Sequence, residues 1–364
     1  KTKKNDQTHV FIITKTGQKA YTVDVSQEYL QEAVAELRAA TDLSQSGSIK
    51  DLPEFDTEIA HELYQKLLGP AEETLSSIKH LFVVPTGPLQ SLPLGVLVTA
   101  SPKGKGYKNT EWLAKRLAIT TLPSVSSLKA LRGFAQKGKA RNAFTGFGDP
   151  ELEGGSGTTK GIRIASLFRG AIANVDEVRE LASLPGTADE LKQIAKYLGA
   201  DEDDIYLGAQ ATETLVKTLP LNQSKVLAFA THGLVSGELT GLSEPALVLT
   251  PPDKGTEEDD GLLTASEIAQ LKLNADWVIL SACNTASGDK PGAEGLSGLA
   301  KAFFYAGARA LLVSHWPVES TAATQLTTTM FDELKANPTI GRSEALRRSM
   351  MKLAANDNKP HYAH

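Results

Sequence analysis

Cysteine occurs once in these 364 residues. A single thiol excludes an internal disulfide and any cysteine-rich metal site, fits a reducing, cytosolic setting, and turns attention to Cys283 itself. Long apolar runs are missing: none nears the roughly 18–20 residues that a bilayer crossing requires. The opening Lys-Thr-Lys-Lys-Asn-Asp has no secretory apolar stretch, and it starts without Met, so the chain reads as a piece of a longer protein. A basic excess is missing too. With 38 basic and 43 acidic side chains the formal charge is −5, which gives no footprint for nucleic acid or for an anionic membrane. No 34-residue period is present, so a helical repeat region would have to lie elsewhere. The Gly/Ser/Thr run 153–161 is not followed by Gly-Lys-Ser/Thr, which argues against a phosphate cradle. Glu294-Gly-Leu-Ser-Gly fails the Gly-x-Ser-x-Gly elbow of a serine hydrolase.

What is present is an ordinary globular composition, 41% hydrophobic and 22% charged, long enough for two or three domains or for one large α/β domain with a smaller one attached. Residues 9–25 read as two short strands around Thr16-Gly17-Gln18, followed by helices over 28–43 and 55–68, with a polar loop over 44–50 between them. Residues 80–85 read as a buried-type strand entering a Pro/Gly-rich turn, and 103–108 as a basic loop. A basic linker over 136–142 marks the main boundary, ahead of a strand at 143–146 and the turn Phe147-Gly-Asp-Pro150. Thr187-Ala-Asp-Glu190 has the spacing of a capping box and opens a helix that stops at Gly199. An α/β alternation follows: strands at 225–230, 245–250, 277–281 and 308–314, and helices at 264–271 (opened by Thr264-Ala-Ser-Glu267), 294–306 and 321–334. The acidic stretch Asp253–Asp260 reads as a solvated, disordered loop, and the tail after Ala355 as frayed. Strands that are apolar throughout suit a parallel sheet covered on both faces.

Two of these strands end in reactive side chains, Phe-Ala-Thr-His-Gly at 229–233 and Ile-Leu-Ser-Ala-Cys-Asn at 279–284. The C-terminal edge of a parallel sheet is where α/β proteins bind ligands. If the strands are neighbours, about 4.8 Å apart, imidazole and thiol come within reach. A thiol near pKa 8.5 needs a base to become a nucleophile, and His232 would supply it. Gly233, lacking Cβ, lets its N–H approach a substrate carbonyl, and with the N–H of Cys283 it would form an oxyanion hole. Taken singly, Cys283 could equally be a small buried hydrophobe and His232 a strand-end residue bonded to a carbonyl.

From about Leu81 to Leu353 the sequence resembles the CHAT domain, a bacterial branch of the caspase–separase clan of cysteine proteases. The carrying segments are 82–93, 122–128, Phe147-Gly-Asp-Pro150, Ala230-Thr-His-Gly233, 244–249, 260–268, Leu280-Ser-Ala-Cys-Asn-Thr-Ala286, 294–300 and His315-Trp-Pro-Val-Glu319. The resemblance implies a caspase-like α/β/α sandwich with a mainly parallel sheet over 142–356, a smaller pseudo-caspase-like α/β region over 1–141, and a tail at 357–364. It implies a His232/Cys283 dyad with no cofactor and no metal, cleaving a protein target such as a gasdermin-like pore former in bacterial defence. A tetratricopeptide-repeat region or a regulatory protein is the implied companion. The primary pocket would be lined by Asp149, Ser281, Trp316 and Glu319, and two carboxylates there would favour cleavage after a basic residue. Asp149 could instead merely end a strand and Glu319 cap a helix, and His315 could be a satisfied strand-end residue. A catalytically silent caspase-like scaffold for protein recognition is the alternative.

Overall fold

The computed structural model describes residues 7–41, 52–102, 107–134, 140–154, 174–234, 242–281, 298–316 and 320–355. Cys283, Glu319, the helix start at Glu294, the loop at 44–50 and the tail after Ala355 lie outside the described residues. So do most of the basic stretches 103–108 and 136–142 and of the Gly/Ser/Thr run 153–161.

The N-terminal portion begins with a hairpin of β1 (Thr8–Ile13) and β2 (Gln18–Val23), in register from Thr8↔Val23 to Ile13↔Gln18. Helices α1 (Gln27–Ala39), α2 (Thr57–Leu67) and α3 (Glu72–Ser76) follow. Next come β3 (His80–Val83), α4 (Leu113–Arg116), β4 (Ala118–Thr121) and α5 (Val125–Phe134). Ser26 and Asp56 accept backbone N–H bonds at the starts of α1 and α2, satisfying groups that the first helical turn leaves unpaired. Leu30, Val34 and Leu37 form the inward stripe of α1, and Leu63, Leu97 and Leu113 close around it with no exposed surface. In the parallel pair β3–β4, Leu81 and Ile119 pack on this core, and on the other face Ser343 lies 3.0 Å from His80 Nε2. His80 and Phe82 point outward and stack at 4.6 Å, with Phe82 45% exposed, so β3 is not the buried strand its sequence suggests.

The second portion contains β5 (Asn142–Gly148), α6 (Val175–Arg179), α7 (Gly186–Leu198), β6 (Ile205–Leu207), α8 (Glu213–Thr218), β7 (Ser224–Ala230), β8 (Gly233–Leu234), β9 (Ala246–Val248) and β10 (Leu262–Thr264). It continues through α9 (Ala265–Gln270), β11 (Trp277–Ser281), α10 (Gly298–Ala306), β12 (Leu311–Leu312), α11 (Ser320–Ala336) and α12 (Arg342–Ala354). A five-stranded sheet runs in the order β12-β11-β7-β5-β6, every pairing parallel. Phe144, Val226, Ala228, Trp277 and Ile279 face α7, α11 and α12, against Leu191, Ile194, Met330, Phe331 and Ala345. Phe147, Leu227, Phe229, Val278 and Leu280 face the opposite layer, against Val216, Ile268, Leu299 and Phe303. Period-2 alternation thus buries both faces, and each fully buried Leu or Phe contributes about 1.5–3 kcal/mol relative to exposure. This is an α/β/α sandwich around a parallel sheet, as the sequence predicts. A small antiparallel sheet, β10-β9-β8, rides beyond the end of β7.

The acidic stretch is anchored rather than free. Glu213 on α8 accepts the N–H groups of Asp260 and Gly261 at 2.9 and 3.1 Å, and Asp259 accepts the Thr214 N–H at 3.1 Å. Lys217 binds Glu213 and Glu267 and reaches the Glu258 carbonyl at 2.7 Å. Charge density alone predicts solvation, but α8 offers a counter-ion and a buried acceptor that hold the loop down.

Candidate active site

Four adjacent strands deliver the candidate residues to one edge of the sheet. In sheet order, Trp316 lies beyond β12, Ser281 ends β11, His232 follows β7 and Asp149 follows β5. The pairing of β7 with β11 runs from Val226↔Trp277 to Ala230↔Ser281, a constant offset of 51 residues (230 to 281).

His232 is held at backbone and ring. Thr231 Oγ1 donates to the Val248 carbonyl at 2.6 Å, and the Val248 N–H donates to the His232 carbonyl at 2.9 Å, so β9 fixes the chain where it leaves β7. The ring Nε2 lies 2.7 Å from the carbonyl oxygen of Ala182. A carbonyl can only accept, so Nε2 carries the proton and Nδ1 presents its lone pair. Burial lowers the imidazole pKa below its ordinary value, with the Ala182 carbonyl pulling the other way. At neutral pH the ring is therefore a free base of defined tautomer. Gly233, buried, opens β8 immediately after it.

Asp149 takes φ of 45°, a left-handed conformation that a non-glycine residue before a proline adopts only under constraint. The constraint is visible. Its N–H donates to Thr187 Oγ1 at 2.9 Å, its carbonyl accepts the Gly208 N–H at 3.0 Å, and burial raises its carboxyl pKa. At the preceding position an added Cβ would lie 2.9 Å from the Ala230 carbonyl oxygen, which is why glycine occupies 148. Trp316 is half-buried, with its ring 6.2 Å from that of His315. The carbonyl of His315 accepts from Arg38 at 3.3 Å. Burial, and secondarily the charge of Arg38, push the His315 imidazole down to about 4, so it stays neutral.

The sequence pattern misplaces one residue here. Thr187 and Glu190 do not form a capping box: Pro185 precedes α7 at the cap position, and no side chain caps the helix. The Thr187 hydroxyl donates to the Leu184 carbonyl at 2.7 Å while accepting from Asp149. Glu190, 1% exposed, turns to β11 and accepts a hydrogen bond from Ser281 Oγ at 2.9 Å. Burial pushes its carboxyl up to about 7, opposed by the hydroxyls of Ser281, Thr327 and Thr324. No linear pattern separates this Glu from a capping residue, because its partner lies 91 positions away. The short segment Ala182–Glu190 therefore bonds the ends of three consecutive strands, β5, β7 and β11. Among the described residues, no group of three His, Cys, Asp or Glu side chains could hold a metal ion.

Comparison with known proteins adds the family. Tetratricopeptide repeat protein 28 of Mus musculus is 26% identical over 327 residues, covering 77% of this chain, and the Homo sapiens protein of the same name is 25% identical over the same span. The chain spans 12% of the length of either relative. Among solved structures, the Arg-specific cysteine proteinase gingipain R superposes with a TM-score of 0.44 and 10% identity, over 93% of this chain and 73% of that one. The family model of the CHAT domain matches residues 57–364, which include every candidate residue at the sheet edge, and this chain belongs to the CHAT domain family.

Proposed function

We propose that this chain is a cysteine endopeptidase in which His232 is the base and Cys283 the nucleophile. The observation that carries the reading is the locked imidazole. His232 has Nε2 tied to Ala182 and Nδ1 available, at the end of a strand whose offset from β11 equals the 51-residue separation of His232 and Cys283. In the reaction, Nδ1 takes the thiol proton as sulfur attacks the scissile carbonyl. The N–H groups of Gly233 and Cys283 stabilise the oxyanion, a contribution of about 3–4 kcal/mol per donor in comparable sites. The imidazolium then protonates the leaving amine, giving a thioester. Water, deprotonated by the regenerated imidazole, hydrolyses that thioester and frees the thiol. A neutral resting imidazole favours proton transfer during attack over a preformed ion pair.

Asp149 supports cleavage after a basic residue, since a cation beside a half-buried carboxyl with a raised pKa relieves its desolvation. Ser281, Trp316 and Glu319 complete the proposed pocket. The tetratricopeptide names of the relatives support an adjoining repeat region that presents the target protein, with a gasdermin-like pore former as the first target to try.

The test is labelling with an arginyl chloromethyl ketone, followed by peptide mapping. Adduct at Cys283 that disappears in His232→Ala supports the enzyme. Absence of labelling in the wild-type protein, alone and with an adjoining repeat region, would favour the scaffold reading.

A further inference from the structure

We infer that Glu190 is a positioning residue for this chemistry, clamping the end of β11 to α7 so that the strand leading to Cys283 leaves the sheet where His232 is held. The inference rests on the thiol reading above. Its geometric basis is the shared anchor. The segment entering α7 accepts the His232 ring proton at Ala182, and eight residues later the same segment accepts the Ser281 hydroxyl at Glu190. One continuous segment thus touches both strand ends. Leu191 and Ile194, neither with exposed surface, pack the helix onto the sheet immediately behind Glu190.

A carboxyl is a costly way to fill this position. No charged side chain acts on the group. Its surroundings are hydroxyls, Ser281 on β11 and Thr324 and Thr327 on α11. Leucine in its place would leave the Ser281 hydroxyl without this acceptor at the end of β11. A carboxyl serving the fold alone would be better placed at the helix start, as Glu267 is in α9. Its placement beneath the end of β11 points to geometry at the strand exit.

The experiment uses iodoacetamide, because the only cysteine in the sequence is Cys283. Alkylation rates at pH 7 are compared for wild type, His232→Ala, Glu190→Leu, Glu190→Gln and Ser281→Ala, with thermal unfolding of each recorded in parallel. Glu190→Leu and Ser281→Ala are expected to slow alkylation about tenfold, since displacements near 1 Å cost on the order of 10²-fold in such sites. Glu190→Gln keeps an acceptor for Ser281 and is expected to stay within about twofold of wild type. A slow His232→Ala variant beside Glu190→Leu and Ser281→Ala at the wild-type rate would overturn the positioning role alone. If Glu190→Leu loses cooperative unfolding, Ser281→Ala decides in its place. An unchanged rate in His232→Ala would overturn the dyad, and the positioning role with it.

Discussion

His232 donates its Nε2 proton to the Ala182 carbonyl across 2.7 Å, and so the base of the proposed dyad is oriented by a main-chain atom rather than by a carboxylate. A carbonyl neither titrates nor stabilises an imidazolium as strongly as an anion would, and burial adds to the deficit. The acid limb of peptide hydrolysis should therefore fall at a pH below 6.5, the ordinary value for histidine. A pH profile of kcat/KM on an arginyl peptide checks this, and a limb above 6.5 would contradict it.

Glu190 also sets a pH dependence of stability. Its carboxyl rises from 4.5 to about 7 on folding, so between those values the folded state binds the proton that the unfolded chain releases. The stabilisation is complete below 4.5 and is lost as pH rises through 7. Glu190→Gln has no proton to lose. Between pH 5 and pH 8 the wild type should lose about 2 kcal/mol more stability than the variant, since each tenfold change in proton affinity is worth about 1.36 kcal/mol. Urea titrations at the two pH values measure the difference, and parallel losses would refute the assignment.

Gly148 permits the closest approach of β5 to its surroundings. An alanine methyl there would meet Leu191 Cδ1 at 2.7 Å and the Ala230 oxygen at 2.9 Å. Gly148→Ala should destabilise the protein by about 1–3 kcal/mol, the range for an overpacked core. It should also depress activity more than stability, because Ala230 lies two residues before His232. Denaturant midpoints and kcat/KM, determined on one preparation, test both halves.

Lys217 joins Glu213, Glu267 and the Glu258 carbonyl into one latch over the acidic loop. Glu213 is 1% exposed, so removing its cation leaves a buried acid whose pKa burial already raises. Lys217→Met should cost roughly 1–3 kcal/mol, discounted from the figure for a fully buried pair because Lys217 is a quarter exposed. It should also release the loop, so that trypsin cuts after Lys254 faster than in wild type. Limited proteolysis with mass mapping detects that cut.

The pattern Thr-x-x-Glu occurs at 187–190 and again at 264–267, and its two outcomes show where linear reading stops. Thr264 and Glu267 form the reciprocal capping box of α9, with both backbone bonds made. Thr187 and Glu190 use the same two side chains on the strand ends β5 and β11. Nothing local separates the two cases. At α9 Lys217 and solvent accommodate the Glu, whereas α7 is pressed onto the sheet and its Glu can only turn inward.

The sequence alone determined the apolar strands, their parallel packing beneath helices, and the arrival of a histidine at a strand end, because period-2 burial and strand length are local properties of the chain. Tertiary structure alone decided the tautomer of His232, the anchoring of the acidic loop and the role of Glu190. Each depends on an atom contributed by a segment tens of residues away, and hydrogen bonds of that range are set by how layers pack.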